Sequence, residues 1–173
     1  MIDKFKIVIV LFLFMISCKW TGEKRDICNI GIFATKDSSI TVINDTSQIK
    51  HITASNCFWI PSKSQLDLID SIINIATNDT SKVTNKDFII RDFKKYYRQY
   101  VCYKDKNNDS IIYVNAFCQI PTNHFDSAGI NKIKKFDWKN NFILMDDGGS
   151  CYWQIKINFT TKKYFDFMIN GDA

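Results

Sequence analysis

The sequence has little glycine and proline for its length. Of its 173 residues only 6 are glycine and 2 are proline, which excludes collagen-like chains and Gly/Pro-rich low-complexity chains. Aromatic residues are plentiful instead, with 14 Phe, 7 Tyr and 4 Trp. They are enough to bury a core, which excludes disorder over most of the chain. The length predicts one domain, since a domain takes about 100–200 residues.

The chain also lacks a hydrophobic run of membrane-spanning length. Its run of ten apolar residues, Ile7–Ile16, is too short for a bilayer, which takes about 20 residues of helix. Lys4 and Lys6 precede the run. A positive segment followed by about 7–15 apolar residues is typical of a secretory signal peptide.

The end of this run carries a short motif, Met15-Ile16-Ser17-Cys18. It resembles the lipobox of bacterial lipoproteins, in which a small residue precedes a cysteine that is lipidated and becomes the mature N-terminus. Met15 departs from the commoner leucine. The resemblance implies a signal peptide at 1–17 and lipidation of Cys18. The polar residues 18–26 then form a tether, and 27–173 form a single domain.

The lipobox resemblance also implies a location. The protein would be anchored in the bacterial cell envelope, in contact with a membrane through its N-terminal lipid. Lys19 follows the cysteine, which is similar to lipoproteins sent on to the outer membrane rather than kept at the inner one. The alternative is an ordinary secretory signal peptide cut elsewhere, with Cys18 a plain thiol.

One helix is well marked in the pattern of residues. Ser62 and Gln65 have the spacing of a capping box, and apolar residues follow at helical spacing, so we expect an amphipathic helix over about 63–77. A second helical pattern starts at Asp87 and runs to Tyr96.

Short apolar runs separated by polar clusters predict the strands. Two or three are expected before the helix, at Ile27–Phe33, Ile40–Ile43 and Ile49–Ile52. The expected strands after it are Gln99–Lys104, Ser110–Cys118, Phe142–Met145, Cys151–Ile157 and Lys163–Ile169, with a loop at 119–140.

In the last hairpin we pair residue 155 with residue 165. This register places Phe165, Phe167 and Ile169 on the core face with Trp153 and its neighbours. Tyr152, Gln154 and Lys156 then lie on the opposite face with Tyr164, Asp166 and Met168, and that face is expected to be partly exposed.

These elements predict an α+β fold, with one or two helices packed on an antiparallel sheet of about four to five strands. The element order is similar to that of cystatin-like or NTF2-like folds. Such a likeness concerns fold only and fixes no function.

After removal of Cys18 the chain keeps an odd number of cysteines: Cys28, Cys57, Cys102, Cys118 and Cys151. An oxidising compartment therefore permits at most two disulfides and leaves one thiol. None of the cysteines forms a CxxC pair, which argues against a thioredoxin-like motif or a zinc ribbon. We expect a disulfide between Cys118 and Cys151 on neighbouring strands, and buried free thiols are the alternative.

Two segments of the C-terminal half, 96–118 and 146–173, carry recurring motifs. They are an Arg-Gln-Tyr strand at Arg98–Tyr100, Asn-x-Phe-Cys at Asn115–Cys118, and an Asp-Gly-Gly to Asn-Gly-x-Ala ending at 147–173. Together they resemble small uncharacterised lipoproteins of Bacteroidetes-type bacteria. The resemblance implies an exported globular domain and implies no activity.

Two polar clusters have the composition of ion sites. Asp105–Asp109 fits the first half of a calcium loop but lacks its later glycine and glutamate, so a hairpin turn is the better interpretation. Asp146–Gly149 is likewise interpreted as a tight turn, because Asp-Gly tolerates a positive φ. No metal or cofactor site is predicted.

A catalytic constellation is not predicted either. Ser150 or Cys151 would be the nucleophile of a hydrolase, with His124 or His51 as base and Asp146 as its orienter. The sequence around them is Gly-Gly-Ser-Cys, which is not the G-x-S-x-G elbow. A hydrolase that uses Cys151 or Ser150 with His124 remains an alternative.

The segment 82–106 has an excess of lysine and arginine among tyrosines. A solvated face beside core aromatics is the preferred interpretation, and binding of an anionic envelope component or an acidic protein is the alternative. An exported protein is not expected to meet nucleic acid. The sequence therefore predicts a lipid-anchored, non-enzymatic binding module with an unknown ligand. An immunity or inhibitor lipoprotein directed against a secreted toxin or protease is the second hypothesis.

Overall fold

A computed structural model describes residues 37–79, 89–123 and 134–171 of the chain. Cys18, Cys28, His124 and the expected strand at Ile27–Phe33 lie outside these residues, as do the signal peptide and the tether.

The main sheet has five strands: β1 (Ile40–Val42), β2 (Tyr97–Lys104), β3 (Ser110–Phe117), β6 (Tyr152–Asn158) and β7 (Lys163–Ile169). They lie side by side in the order β1-β2-β3-β6-β7. A separate two-residue pair, β4 (Thr122–Asn123) with β5 (Lys134–Lys135), lies within the expected loop at 119–140. The α+β prediction and the number of strands are confirmed.

One pair of strands departs from the expected antiparallel arrangement. β1 runs parallel to β2, with Ile40 opposite Arg98, whereas the pairs β2–β3, β3–β6 and β6–β7 are antiparallel. Parallel neighbouring strands need a long crossover connection, usually a helix. The chain between β1 and β2 contains such a helix, which allows the two strands to run in the same direction.

That helix, α2 (Lys63–Asn78), confirms the predicted amphipathic helix. The Gln65 side chain accepts the Ser62 backbone N–H at 2.6 Å, and the Ser62 hydroxyl accepts the Gln65 N–H at 3.4 Å, which completes the capping box. The apolar positions are buried against one face of the sheet, here called the inner face: Leu66, Ile69, Ile72, Ile73 and Ala76.

The opposite, outer face of the sheet is covered by irregular segments. Around Val101 and Tyr113 it is packed by residues from 43–58, and around Phe117 by Trp138 and Ile143. The two central strands are therefore buried on both faces. The outer face of the β6–β7 hairpin stays partly exposed, as expected.

Three expected elements are corrected. Ile49–Ile52 is not a strand: Ile49 ends the one-turn helix α1 (Thr46–Ile49), because the Asp45 carboxylate accepts the Ser47 N–H and caps that turn. Among residues 89–96 the second helical pattern gives only a 3-10 turn, Phe93–Lys95, capped by Asp92. Phe142–Met145 is not a strand either, because the side chains of Gln99 and Asn115 bind the backbone of this segment.

The predicted register of the last hairpin was wrong by one residue. Lys156 pairs with Phe165 and Ile157 with Tyr164, so Phe165 lies on the outer face and is 39% exposed. A β-bulge between Gln154 and Lys156 then shifts the pairing, with Asp166 at a φ of +49°. The extra residue returns Phe167 and Ile169 to the inner core and keeps Asp166 out of it.

Candidate functional site

The cysteines in the described part of the chain are either in disulfide bonds or buried in the core. Cys118 and Cys151 form the expected disulfide, with their Cα atoms 4.9 Å apart. Cys57 is also disulfide-bonded. Cys102 is a free thiol on the inner face, and burial raises its pKa far above the ordinary value, which suppresses the reactive thiolate. In its disulfide with Cys118, Cys151 carries no free thiol that could act as a nucleophile.

Ser150 shows no catalytic arrangement within the part of the chain that the structure describes. Its carbonyl accepts the Tyr96 hydroxyl at 2.8 Å. His51 lies on the outer face, its ring 5.3 Å from that of Phe142, and no hydrogen bond between described residues joins it to Ser150. His124 lies outside the described residues.

The turn at Asp105–Asp109 has the predicted structural role. The Asp105 carboxylate accepts the N–H groups of Asn107 and Asp109 at 2.8 and 2.9 Å, which closes the β2–β3 hairpin. Asp146–Gly149 has the predicted positive φ but does not join two strands, because it follows the irregular segment Phe142–Met145 and leads into a 3-10 turn at Gly149–Cys151. Gly148 has a φ of +91°, and a Cβ there would lie 2.6 Å from the Tyr152 ring. Glycine is thus required at this turn for its conformation and for space.

Two side chains on the central strands fix an irregular segment around Ile143. Gln99 and Asn115 lie opposite each other on β2 and β3. Their amides bind the backbone of Ile143, whose N–H donates to Gln99 Oε1 at 2.9 Å and whose carbonyl accepts Asn115 Nδ2 at 2.7 Å. These side chains take the place of a neighbouring strand, which is why Phe142–Met145 is not one.

Arg98 is buried rather than part of a basic surface. Its side chain is 1% exposed, and its guanidinium donates to Asp70 at 2.8 Å and to Asp37 at 3.1 Å. Tyr100 and Tyr103 of the same segment are also buried. The described part of the basic segment, 89–106, therefore has core aromatics beside solvated lysines, as preferred from the sequence.

A polar cleft of about 430 Å³ lies beside α2, between Asp67, Asp70 and Asn74 on the helix and Phe93 with Lys94 on the 3-10 turn. Burial raises the pKa of Asp70, and the nearby Arg98 only partly offsets that effect. The Arg98 guanidinium lies 5.4 Å from the centre of the Phe93 ring. The Asp70 carboxylate therefore has a structural role, because it neutralises the charge of the buried Arg98 guanidinium.

A second cleft opens on the outer face of the sheet, with a volume of about 270 Å³. We call it the outer-face cleft. It is lined by residues from 51–52, β3, β6 and β7, namely His51, Ile52, Tyr113, Gln154, Lys156, Asp166 and Met168.

Polar groups in the outer-face cleft are ordered by two contacts. The Tyr113 hydroxyl donates to Gln154 Oε1, and burial raises the pKa of Tyr113 to about 12, so the phenol keeps its proton at neutral pH. Lys156 Nζ lies 3.0 Å from Asp166 Oδ2. The bulge at Asp166 turns this carboxylate toward Lys156, and it therefore shapes the cleft.

Apolar side chains on β7 are exposed around the same cleft. Met168 is 53% exposed and Phe165 is 39% exposed, and both lie on the outer face beside Gln154 and Lys156, their partners across the hairpin. Large apolar side chains that remain in solvent next to a cleft are typical of a binding surface.

The sequence predicted part of this surface. Gln154, Lys156, Asp166 and Met168 were expected on the exposed face of the hairpin, and they lie there. Phe165 was missed because the register was shifted. The signal that could have located it is Asp166 within an apolar run, since a carboxylate there requires a bulge or an exposed face.

None of the helices in the described ranges is long and apolar enough to cross a bilayer. Within those same ranges, no three His, Cys, Asp or Glu side chains are grouped as metal ligands would be. Compared with known proteins, the chain matches no protein-family model, no curated protein and no solved structure.

Proposed function

We propose that the protein is an exported, lipid-anchored protein of the bacterial cell envelope that acts as a non-enzymatic binding module for another protein. The outer-face cleft and the apolar side chains beside it form the proposed binding surface. The lipid on Cys18 holds the domain at a membrane, with the outer membrane the favoured location.

The observation that carries the binding surface is the exposure of Phe165 and Met168 beside the cleft. Complete burial of either side chain by a partner would contribute at most about 1.5–3 kcal/mol to the binding free energy. This is an upper value because both side chains are already partly covered by the domain. Aromatic residues and methionine are enriched at protein interfaces. An acidic or anionic partner is less favoured, because Arg98, the most central cation of the basic segment, is paired inside the fold.

Export is supported by the cysteines as well as by the lipobox resemblance. Cys118–Cys151 and Cys57 are in disulfide bonds, and structural disulfides persist in oxidising compartments such as the periplasm and the cell surface. Cys102, the one free thiol among the residues that the structure describes, is buried and thereby shielded from thiol–disulfide exchange.

Lipidation is tested by metabolic labelling with a clickable fatty acid. The wild type should be labelled and recovered with membranes, whereas Cys18→Ser should carry no label. Equal labelling of both proteins would contradict the anchor.

The binding surface is tested by site-specific photocrosslinking in intact cells. A photoreactive residue at position 168 should give discrete adducts with a protein, and the same residue at position 75 is the control. Ile75 is 62% exposed, but it lies on α2, which covers the inner face. Equal adducts from both positions, or adducts from neither, would contradict the proposed surface, and an adduct with lipopolysaccharide instead of protein would contradict the proposed kind of partner.

A further inference from the structure

We infer that the outer-face cleft receives one neutral aromatic side chain with an oxygen at its tip, as in tyrosine, from the protein partner. This inference rests on the proposed function and specifies the chemistry of the partner at that surface.

The size of the cleft favours a single side chain. Its volume of about 270 Å³ lies below the ~300–1,000 Å³ of pockets that enclose drug-sized ligands. Residues that dominate binding at protein interfaces are characteristically aromatic side chains or arginine that fill such pockets.

The walls favour an aromatic ring. Ile52 lines the cleft from the segment after α1, and Met168 lines it from β7. A thioether makes favourable contacts with the edge of an aromatic ring, and the flexible methionine side chain adapts to its shape. Met168 is half in solvent, so it has room to close over a ring.

The polar groups determine what the ring must carry. Gln154 Oε1 already accepts the Tyr113 hydroxyl, whereas its amide N–H groups donate to no residue in the described part of the chain. A ligand that presents an oxygen acceptor would satisfy these donors, and a phenol does so at the tip of a planar apolar body.

The charges favour a neutral tip. Lys156 and Asp166 are 3.0 Å apart and compensate each other at the border of the cleft. A carboxylate or a guanidinium from the partner would have to compete with this pair, whereas a phenol leaves it intact. Tyrosine is therefore favoured over glutamate, aspartate and arginine.

The test uses the processed protein in lipid nanodiscs with ¹³C-methyl methionine. The full chain has 4 methionines, and removal of residues 1–17 leaves Met145 and Met168. Met168→Leu and Met145→Leu assign their two signals. Met168 lines the cleft, and the partly exposed Met145 is the internal control. The probes are N-acetyl-tyrosinamide, N-acetyl-phenylalaninamide and N-acetyl-leucinamide.

We expect the tyrosine probe to move the Met168 methyl signal upfield in a saturable way, with Met145 unmoved. Its Kd should be at least threefold lower than that of the phenylalanine probe, and the leucine probe should give no ring-current shift. Gln154→Leu should abolish the difference between the tyrosine and phenylalanine probes, with the Met145 signal reporting whether the variant stays folded.

The comparison of the two aromatic probes on the wild type requires no variant. Equal Kd values for these probes, or no saturable shift of Met168 up to the solubility limit, would overturn the inference. If position 168 still crosslinks to a protein while the probes fail, the proposed function stands and only the tyrosine inference falls. If the crosslinks fail as well, both fall.

Discussion

At the scale of single residues, a buried amide takes the place of a strand. Gln99 is 0% exposed, and its side-chain amide makes two hydrogen bonds as donor and two as acceptor. Its Nε2 donates to the carbonyls of Trp138 and Asn141 at 2.6 and 2.7 Å, and its Oε1 accepts Asn115 Nδ2 and the Ile143 N–H at 3.1 and 2.9 Å. The irregular segment 138–143 is thereby fixed on the outer face.

Replacing Gln99 by leucine should be strongly destabilising. The change removes all of these hydrogen bonds and leaves buried partners unsatisfied, which costs about 1–3 kcal/mol for each such group. We expect the free energy of unfolding to fall by at least about 3 kcal/mol, measured by urea denaturation with circular dichroism.

The control for that change is Gln119→Leu, because Gln119 is exposed. It should alter the free energy of unfolding by less than about 0.5 kcal/mol. Equal urea midpoints for the two variants would refute the role given to Gln99.

Alanine substitutions at Gly148 and Gly171 provide a second test with its own control. Gly148→Ala should lower the free energy of unfolding by about 1–3 kcal/mol, because a non-glycine residue is strained at its φ of +91° and the new Cβ would meet the Tyr152 ring. Gly171→Ala should have little effect, since a Cβ there meets nothing within 4 Å. Thermal or urea unfolding of both variants tests this, and an equal loss in both would be the contrary result.

At the scale of elements, the β6–β7 hairpin is shaped by one bulged residue. Asp166 has a φ of +49°, a conformation that Asp and Asn tolerate and β-branched residues do not. The side chains of its ion pair with Lys156 are 28% exposed for the lysine and 55% exposed for the aspartate. Because the pair is open to solvent, we expect the conformation of Asp166 to matter more than its charge.

Substitutions at position 166 can separate conformation from charge. Asp166→Asn should change the free energy of unfolding by less than about 0.5 kcal/mol, because asparagine keeps the left-handed conformation. Asp166→Val should lower it by more than about 1 kcal/mol. Urea denaturation measures both, and a larger loss in the asparagine variant would show that charge is the dominant factor.

The disulfide is the other feature at this scale, because it joins the end of β3 to the start of β6. Cys118 and Cys151 are 33 residues apart in sequence, and loops of this order confer about 2–4 kcal/mol by restricting the unfolded chain. The double variant Cys118→Ala, Cys151→Ala should lose about that much in urea denaturation without reductant. A midpoint equal to that of the wild type would exclude a stabilising bridge.

At the scale of the whole molecule, Arg98 connects three parts of the chain. It lies in β2 and binds Asp70 of α2 and Asp37 before β1. Burial by itself raises the pKa of Asp37, but the hydrogen bonds from Ser39 and the charge of Arg98 outweigh this effect and hold the pKa below its ordinary value.

A carboxylate with a lowered pKa stabilises the fold above the pKa of the unfolded chain, and this contribution is lost as the pH falls through the folded pKa. Asp37→Asn should therefore be less stable than the wild type at pH 6, and the difference should shrink when the pH falls to about 2, well below the unfolded value near 3.9. Urea denaturation at the two pH values measures it. A difference that stays constant would contradict the lowered pKa.

Local chemistry was enough to predict much of this protein: the α+β class, the capped helix α2, the β2–β3 hairpin and the glycine turn at 148. Each depends on contacts between residues that are close in sequence, such as a cap at i+3 or a carboxylate that accepts a nearby N–H. The signal peptide at residues 1–17 and the lipidation of Cys18 also depend on a contiguous motif, and they stay predictions.

Only the tertiary structure decided the rest. It moved Phe165 to the outer face through a bulge, placed Arg98 in the core between two aspartates, and replaced the expected strand at Phe142–Met145 by segments bound to Gln99 and Asn115. It also brought residues from four separate segments together in the outer-face cleft. For Arg98, Gln99 and Asn115 the physical reason is that the hydrogen-bonding partner lies 28 to 61 residues away in the sequence, and local pattern carries no information about it. For Phe165 the reason is the bulge, which shifts the pairing within the hairpin.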